Sequence, residues 1–133
     1  MGYSFEDLEV YKLSREFRKK MYRLARKLPP EEKYELAPQM RDAARSMTNN
    51  IAEGHGRYHF QESIRFMRIS RGSCQELIDD LNICLDEGYG DAKELEDLKA
   101  EGYEDIHKIN AYVFHLKKKI GSTGKSESDA SDN

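Results

Sequence analysis

Apolar residues recur along this chain at the spacing of helices. Val10, Leu13, Phe17, Met21, Leu24 and Leu28 step by threes and fours, which keeps one face of a 3.6-residue turn inward. Ser4, with Asp7 three residues on, forms the pattern of a capping box with the shorter acid and sets the expected start of this first helix. Pro29-Pro30 ends it, because a residue before proline is pushed out of the α region. A second helix is expected from near Pro38, a residue suited to a first turn. It carries Met40, Ala44, Met47 and Ile51 and stops at Gly54/Gly56. The third runs from about Phe60 to Glu87 with two stripes, one through Ile64, Met67, Cys74, Ile78, Leu81 and Leu85, the other through Phe66, Ser70, Ser73, Leu77 and Cys84. It is therefore expected to be buried on two sides. Gly88-Tyr-Gly90 closes it, and Asp91 caps a fourth helix with the seam Leu95, Leu98, Ile106, Ile109, Val113, Leu116 and Ile120. Gly102 falls on that seam, for close helix approach or as a kink.

No strand alternation or internal repeat interrupts this pattern. Four helices joined by short connections must neighbour one another antiparallel. The expected fold is all-α, an antiparallel up-down four-helix bundle over residues 1–121. Residues 122–133 have nothing to bury and read as a disordered polar tail. The sequence has no apolar run long enough to span a bilayer, and its start lacks the basic and apolar regions of a secretory leader. A cytoplasmic protein is expected. Cys74 and Cys84 lie ten residues apart on one helix, about 15 Å along its axis. They cannot bond to each other, and reduced thiols fit a cytoplasmic location.

Charge changes the picture through its distribution. The net charge is only −3, yet residues 12–71 hold 15 Lys/Arg against 7 Asp/Glu, and residues 72–110 hold 3 against 12. Such asymmetry marks a nucleic-acid surface, or two opposite faces that attract within or between subunits. Arg15, Arg18, Lys19, Arg23 and Arg26 crowd the first helix together with Lys12, Lys20 and Lys27, and only Glu16 opposes them in that stretch. Arg41, Arg45 and Arg57 add to the surplus further on. Lys and Arg contacts to phosphates supply most sequence-independent affinity for nucleic acid. The competing reading is a solvated face, or a partner for the acidic stretch 76–105 of a neighbouring subunit.

Several stretches carry a family resemblance. They are Phe5-Glu-Asp-Leu-Glu-Val-Tyr-Lys, Leu28-Pro-Pro-Glu-Glu-Lys-Tyr-Glu-Leu, Gln39-Met-Arg-Asp-Ala-Ala-Arg-Ser-Met, Asn50-Ile-Ala-Glu-Gly-His-Gly-Arg57 and Arg65-Phe-Met-Arg-Ile-Ser-Arg-Gly-Ser-Cys-Gln-Glu-Leu77. Over Phe5 to Tyr89 the chain resembles the four-helix-bundle proteins encoded in intervening sequences of bacterial 23S ribosomal RNA genes. The resemblance implies a homo-oligomer, a pentamer around a central axis. It also implies kinship with the accessory proteins of diversity-generating retroelements, which bind a reverse transcriptase and nucleic acid. Four positions depart from the usual pattern: Asp42 where a second basic residue is common, Tyr11 where Trp is usual, and Pro38 and Thr48 in place of a small polar residue and a Pro.

Other chemistry finds little support. Asn50 and Glu53 share a face of the second helix. With Arg71, Ser73 and Glu76 of the third they suggest a buried polar network fixing helix register or subunit contacts, with Glu53 the expected partner of Arg71. His55 and His59 are four apart but flank a glycine turn. Glu104-Asp-Ile-His107 is one copy of a motif that di-iron bundles need twice. No His follows an Arg at the spacing of small helical toxin ribonucleases, and Gly124-Lys-Ser126 lacks the rest of a phosphate-binding loop. No catalytic residue, metal ligand or cofactor is expected. The reading is a non-enzymatic, self-associating scaffold or accessory that binds RNA or DNA, against a purely structural oligomer.

Overall fold

The computed structural model describes residues 4–123. Within them the chain forms α1 (Glu9–Lys27), α2 (Leu36–His55), α3 (Phe60–Glu87) and α4 (Ala92–Thr123), with 3-10 turns at Phe5–Asp7 and Pro30–Glu32 ahead of α1 and α2. Contacts between neighbours run in reverse order. Arg18 and Tyr22 of α1 meet Thr48 and Arg45 of α2. Ser63, Ser70 and Ser73 of α3 meet Gly54, Met47 and Ser46 of α2. Glu9 and Lys20 of α1 meet Lys108 and Glu101 of α4. The fold is the all-α antiparallel bundle that the periodicity predicts.

The core has two apolar groups. Phe17, Met21, Met40, Met47, Leu77 and Leu81 fill the part toward the α1–α2 connection. Val10, Ile51, Ile64, Met67, Ile109 and Val113 fill the part toward the α2–α3 turn. Each fully buried side chain of this size contributes about 1.5–3 kcal/mol relative to exposure. The third helix is buried on two sides as expected, its serines toward α2 and Cys74 and Ile78 toward α4.

Local punctuation follows the sequence with instructive differences. The capping box of Ser4 and Asp7 is present, but it caps the first 3-10 turn. Leu8 is then extended and buried, and α1 starts after it. Gly88 closes α3 in the left-handed region at φ 75°, where glycine carries no Cβ penalty. Asp91 caps α4 by accepting the Glu94 N–H at 3.0 Å.

Gly54 does not stop α2. It is buried inside the last turn, where a Cβ would stand 2.8 Å from the Phe66 Cβ and 3.2 Å from the Ser63 carbonyl oxygen. Its role is close approach of α2 to α3, and Gly56 is the actual cap. Gly102 serves likewise, since a Cβ there would come 2.9 Å from Ile78 Cγ1 and 3.2 Å from Phe17 Cζ. The fourth helix continues to Thr123, two residues past the expected boundary at 121. The rest of the expected tail lies outside the described residues.

Candidate nucleic-acid interface

The first helix is amphipathic because its apolar residues all fall on one side, which leaves the opposite side to its cations. Arg15, Lys19, Arg23 and Arg26 are exposed there, with Lys12 in line. Among the described residues no ion pair holds Arg15, Arg23 or Arg26, while Lys19 lies 3.5 Å from Glu16. Arg18 sits at the edge facing α2, half-buried, and donates from Nη1 to the Thr48 hydroxyl at 2.8 Å. Lys20 occupies the opposite edge and pairs with Glu101 of α4 at 2.9 Å. Arg23 also lines an open cleft of about 600 Å³ between the end of α1 and the start of α4, floored by Leu24, Leu28 and Leu98 and faced by Glu94 and Asp97.

Not all eight candidate cations join this face. Arg41 and Arg45 flank it on α2. Arg45 bonds the Tyr22 hydroxyl of α1 at 3.3 Å and pairs with Asp42. Arg57 stands apart, just beyond α2, paired with Glu53 and packed over the Phe66 ring at 4.8 Å. The structure thus assembles seven of the eight around α1, and assigns the eighth to the α2–α3 turn.

The expected polar network divides into separate pieces. Ser73 donates to Ser46 Oγ at 2.7 Å and so ties α3 to α2, whereas Asn50 donates to the Ser46 carbonyl at 2.8 Å within α2 itself. Glu53 is not the partner of Arg71. It pairs with Arg57 on its own side, and Arg71 instead donates to Asn110 Oδ1 of α4 at 2.7 Å. The physical reason is placement: Arg71 lies on the α4-facing side of α3, out of reach of α2. Glu76 is exposed, and its nearest consequence is to raise the pKa of Asp80 one turn on.

A family model described as 23S rRNA-intervening sequence protein matches residues 6–111. The chain belongs to that family. No curated protein matches it. The family match runs from the first 3-10 turn to well along α4, so it extends past Tyr89, where the visible resemblance ends, and takes in every candidate residue above.

Three of the four positions expected to depart from the family pattern have a local setting. Thr48 supplies the hydroxyl that holds Arg18, and Asp42 neutralises part of Arg45. Tyr11 packs edge-on against Phe5 with ring centroids 4.9 Å apart. Two buried carboxyls escape the sequence reading altogether. Asp80 is 4% exposed and Asp105 is 1% exposed, and each leaves Oδ2 without a hydrogen-bond partner among the described residues. Burial, then Glu76 and Asp79, pushes Asp80 up to about 7. Burial, then Glu101 and Glu104, pushes Asp105 up to about 7 against the opposing pull of Lys20. Position is the signal that could have found them. Asp105 falls three residues after Gly102 and four before Ile109, on the core seam, and Asp80 falls between Leu77 and Cys84 on the second stripe of α3.

Remaining candidate chemistry is quiet. Cys74 is pushed up to about 12 and Cys84 to about 11, in both cases chiefly by burial, so both thiols stay protonated at neutral pH. Among the described residues no group of three or more His, Cys, Asp or Glu is placed to hold a metal ion. Glu104 and His107 are both exposed. No described helix is long and apolar enough to cross a membrane.

Proposed function

We propose that this chain is a non-catalytic accessory protein that self-associates and binds RNA or DNA through the outward face of α1. One observation carries the reading: Arg15, Arg23 and Arg26 project from one exposed helix face with no acidic partner among the described residues, beside Lys12 and Lys19 and flanked by Arg18 and Arg45. Such a row follows a phosphate backbone with little base preference, and repeating it around a homopentamer would multiply the field. Contacts of this kind release counterions, so affinity falls steeply with salt.

The test is fluorescence anisotropy with labelled structured RNA and duplex DNA across a salt series, on protein whose subunit number is fixed by light scattering. Replacing Arg15, Lys19, Arg23 and Arg26 together with Gln should abolish measurable binding at moderate salt and leave assembly intact. For duplex DNA, each phosphate that is no longer neutralised lowers the salt slope by about 0.9. Arg18 is left in place, because its bond to Thr48 makes it part of the packing. Absence of binding by the unmodified protein at low salt would refute the proposal.

A second reading has its own observation. Lys20 with Glu101, and Lys108 with Glu9, already join oppositely charged helices within the chain. The same complementarity between subunits would make the basic face a packing surface. The fourfold Gln variant would then change the subunit number and have no binding to lose.

A further inference from the structure

Two tyrosines stand out from the surface at opposite ends of the molecule. Tyr58, in the α2–α3 turn, is 90% exposed, and Tyr34, in the α1–α2 connection, is 83% exposed. A 20-residue helix separates the two connections, a distance of about 30 Å. Their settings differ. Tyr34 follows Glu31 and Glu32 and precedes Glu35, with Lys33 over its ring at 5.4 Å. Tyr58 lies between Arg57 and His59, and its ring stands steeply against the His59 ring with centroids 4.7 Å apart, while nearly all of the residue stays open to solvent.

Around Tyr58 the turn is built of planar groups. The Phe66 ring, in the first turns of α3, carries the Arg57 guanidinium at 4.8 Å and the Arg65 guanidinium at 5.4 Å. Glu53 and Glu62 tether those two arginines and neutralise much of their charge. What the turn offers is an exposed aromatic ring in the short connection between two packed helices. On α1, Lys12, Arg15, Arg23 and Arg26 have no such tether among the described residues. The register set by Arg18 with Thr48 and Tyr22 with Arg45 brings Arg15 and Lys12 level with the last turns of α2, next to this turn.

We infer that the α2–α3 turn is a stacking platform for an unpaired base of single-stranded nucleic acid, with the exposed Tyr58 ring as its face, at the end of the phosphate-binding row on α1. The assignment deepens the proposed function and rests on it. Aromatic rings stack on any base and so tolerate any sequence, while a base inside a duplex keeps its faces covered and cannot use them. The platform therefore adds preference for single strands and leaves the electrostatic part of binding unchanged.

The experiment compares Tyr58→Ala, Tyr58→Phe and Tyr34→Ala with the unmodified protein. Labelled polyuridine and polythymidine single strands and a duplex of equal length serve as probes. Tyr58→Ala should weaken single-strand binding by about tenfold, within the range for loss of one stacked base. Its salt slope and its duplex affinity should stay as they were. Tyr58→Phe should bind like the parent, and Tyr34→Ala should have no effect.

Tyr58→Trp gives an independent reading, because the chain has no tryptophan of its own. Its fluorescence should be quenched by single strands and far less by duplex. Unchanged single-strand binding by Tyr58→Ala, with the α1 cations still required, overturns the platform and leaves the phosphate row standing. No binding of either probe by the parent overturns both.

Discussion

The α2/α3 seam and the α1/α4 seam are parts of one bundle, closed by different chemistry. Between α2 and α3, Gly54 lets the backbones approach, and three serine hydroxyls bond across at 2.7, 2.8 and 2.7 Å. These are short, neutral bonds, two of them buried, that neither salt nor protons disturb. Between α1 and α4 the polar ties are the exposed ion pairs Lys20–Glu101 and Glu9–Lys108. Ser14 and Asp105 are buried on α1 and α4 with oxygens that find no partner among the described residues, and an open cleft of about 600 Å³ separates the two helices at one end. The helix that carries the cations thus forms one side of the loosely closed seam. Conditions that leave α2/α3 untouched should act on α1.

Crowding the tight seam should have the largest effect. Gly54→Val puts a branched Cβ where even a methyl meets Phe66 Cβ at 2.8 Å and a backbone oxygen at 3.2 Å. Overpacking of that kind, in a helix where branching is already disfavoured, should cost about 3 kcal/mol. Gly72 provides the matched control, because it lies in α3 with nothing within 4 Å of its would-be Cβ. Gly72→Ala should stabilise by about 0.5–1 kcal/mol through helix propensity alone. Urea midpoints of the two variants should move in opposite directions. Equal shifts would mean that the close approach at Gly54 is not what holds this seam.

A smaller effect should come from protons, on the loose seam. Asp105 has a folded pKa of about 7, against about 3.9 in an unfolded chain. The folded state therefore holds a proton that the unfolded state has released, and stability falls as pH rises from about 4 to about 7, then levels off. Glu101 and Glu104 of its own helix strengthen the shift, and Lys20 of α1 opposes it. Asp105→Asn removes the charge and should raise stability by about 2.5 kcal/mol more at pH 8 than at pH 5. Asp80 also titrates near 7, so the single variant should flatten part of the profile and Asp80→Asn with Asp105→Asn most of it. Urea titrations at the two pH values check this. A parent protein equally stable at both would show that neither carboxyl is shifted as described.

How legible these seams are in the sequence depends on the kind of signal. The spacing of Val10 through Leu28 places α1, and the double stripe from Ile64 to Cys84 anticipates that α3 packs on two sides, because apolar periodicity reports which face is inward. Periodicity does not report which neighbour that face meets, so it pairs Glu53 with Arg71 although the two lie on different seams. Gly54 reads as a stop because glycine signals both chain reversal and close approach, and only the position of Phe66 separates the two. Asp80 and Asp105 merge into the acidic face, since a charge count does not ask whether a residue sits on the stripe. The cations of α1 are legible because an exposed helix face needs no tertiary partner to be placed. Tyr58 is not, because a turn residue has no periodicity to reveal its exposure.

The ion pair at the edge of α1 offers the finest test of the contrast. Lys20 Nζ lies 2.9 Å from Glu101 with both side chains partly in solvent, so its direct contribution should be only about 0.5 kcal/mol. Lys20 also stands near enough to Asp105 to lower its pKa. Lys20→Met should therefore do two things. At low salt and pH 5 it should destabilise slightly, and that loss should vanish at high salt as screening removes the pair. At pH 8 the loss should be larger, because the ionised Asp105 no longer has a cation close by. A loss that is the same at both pH values would separate the ion pair from the buried carboxyl. A loss that grows with pH ties them into one proton-sensitive seam beneath the basic face.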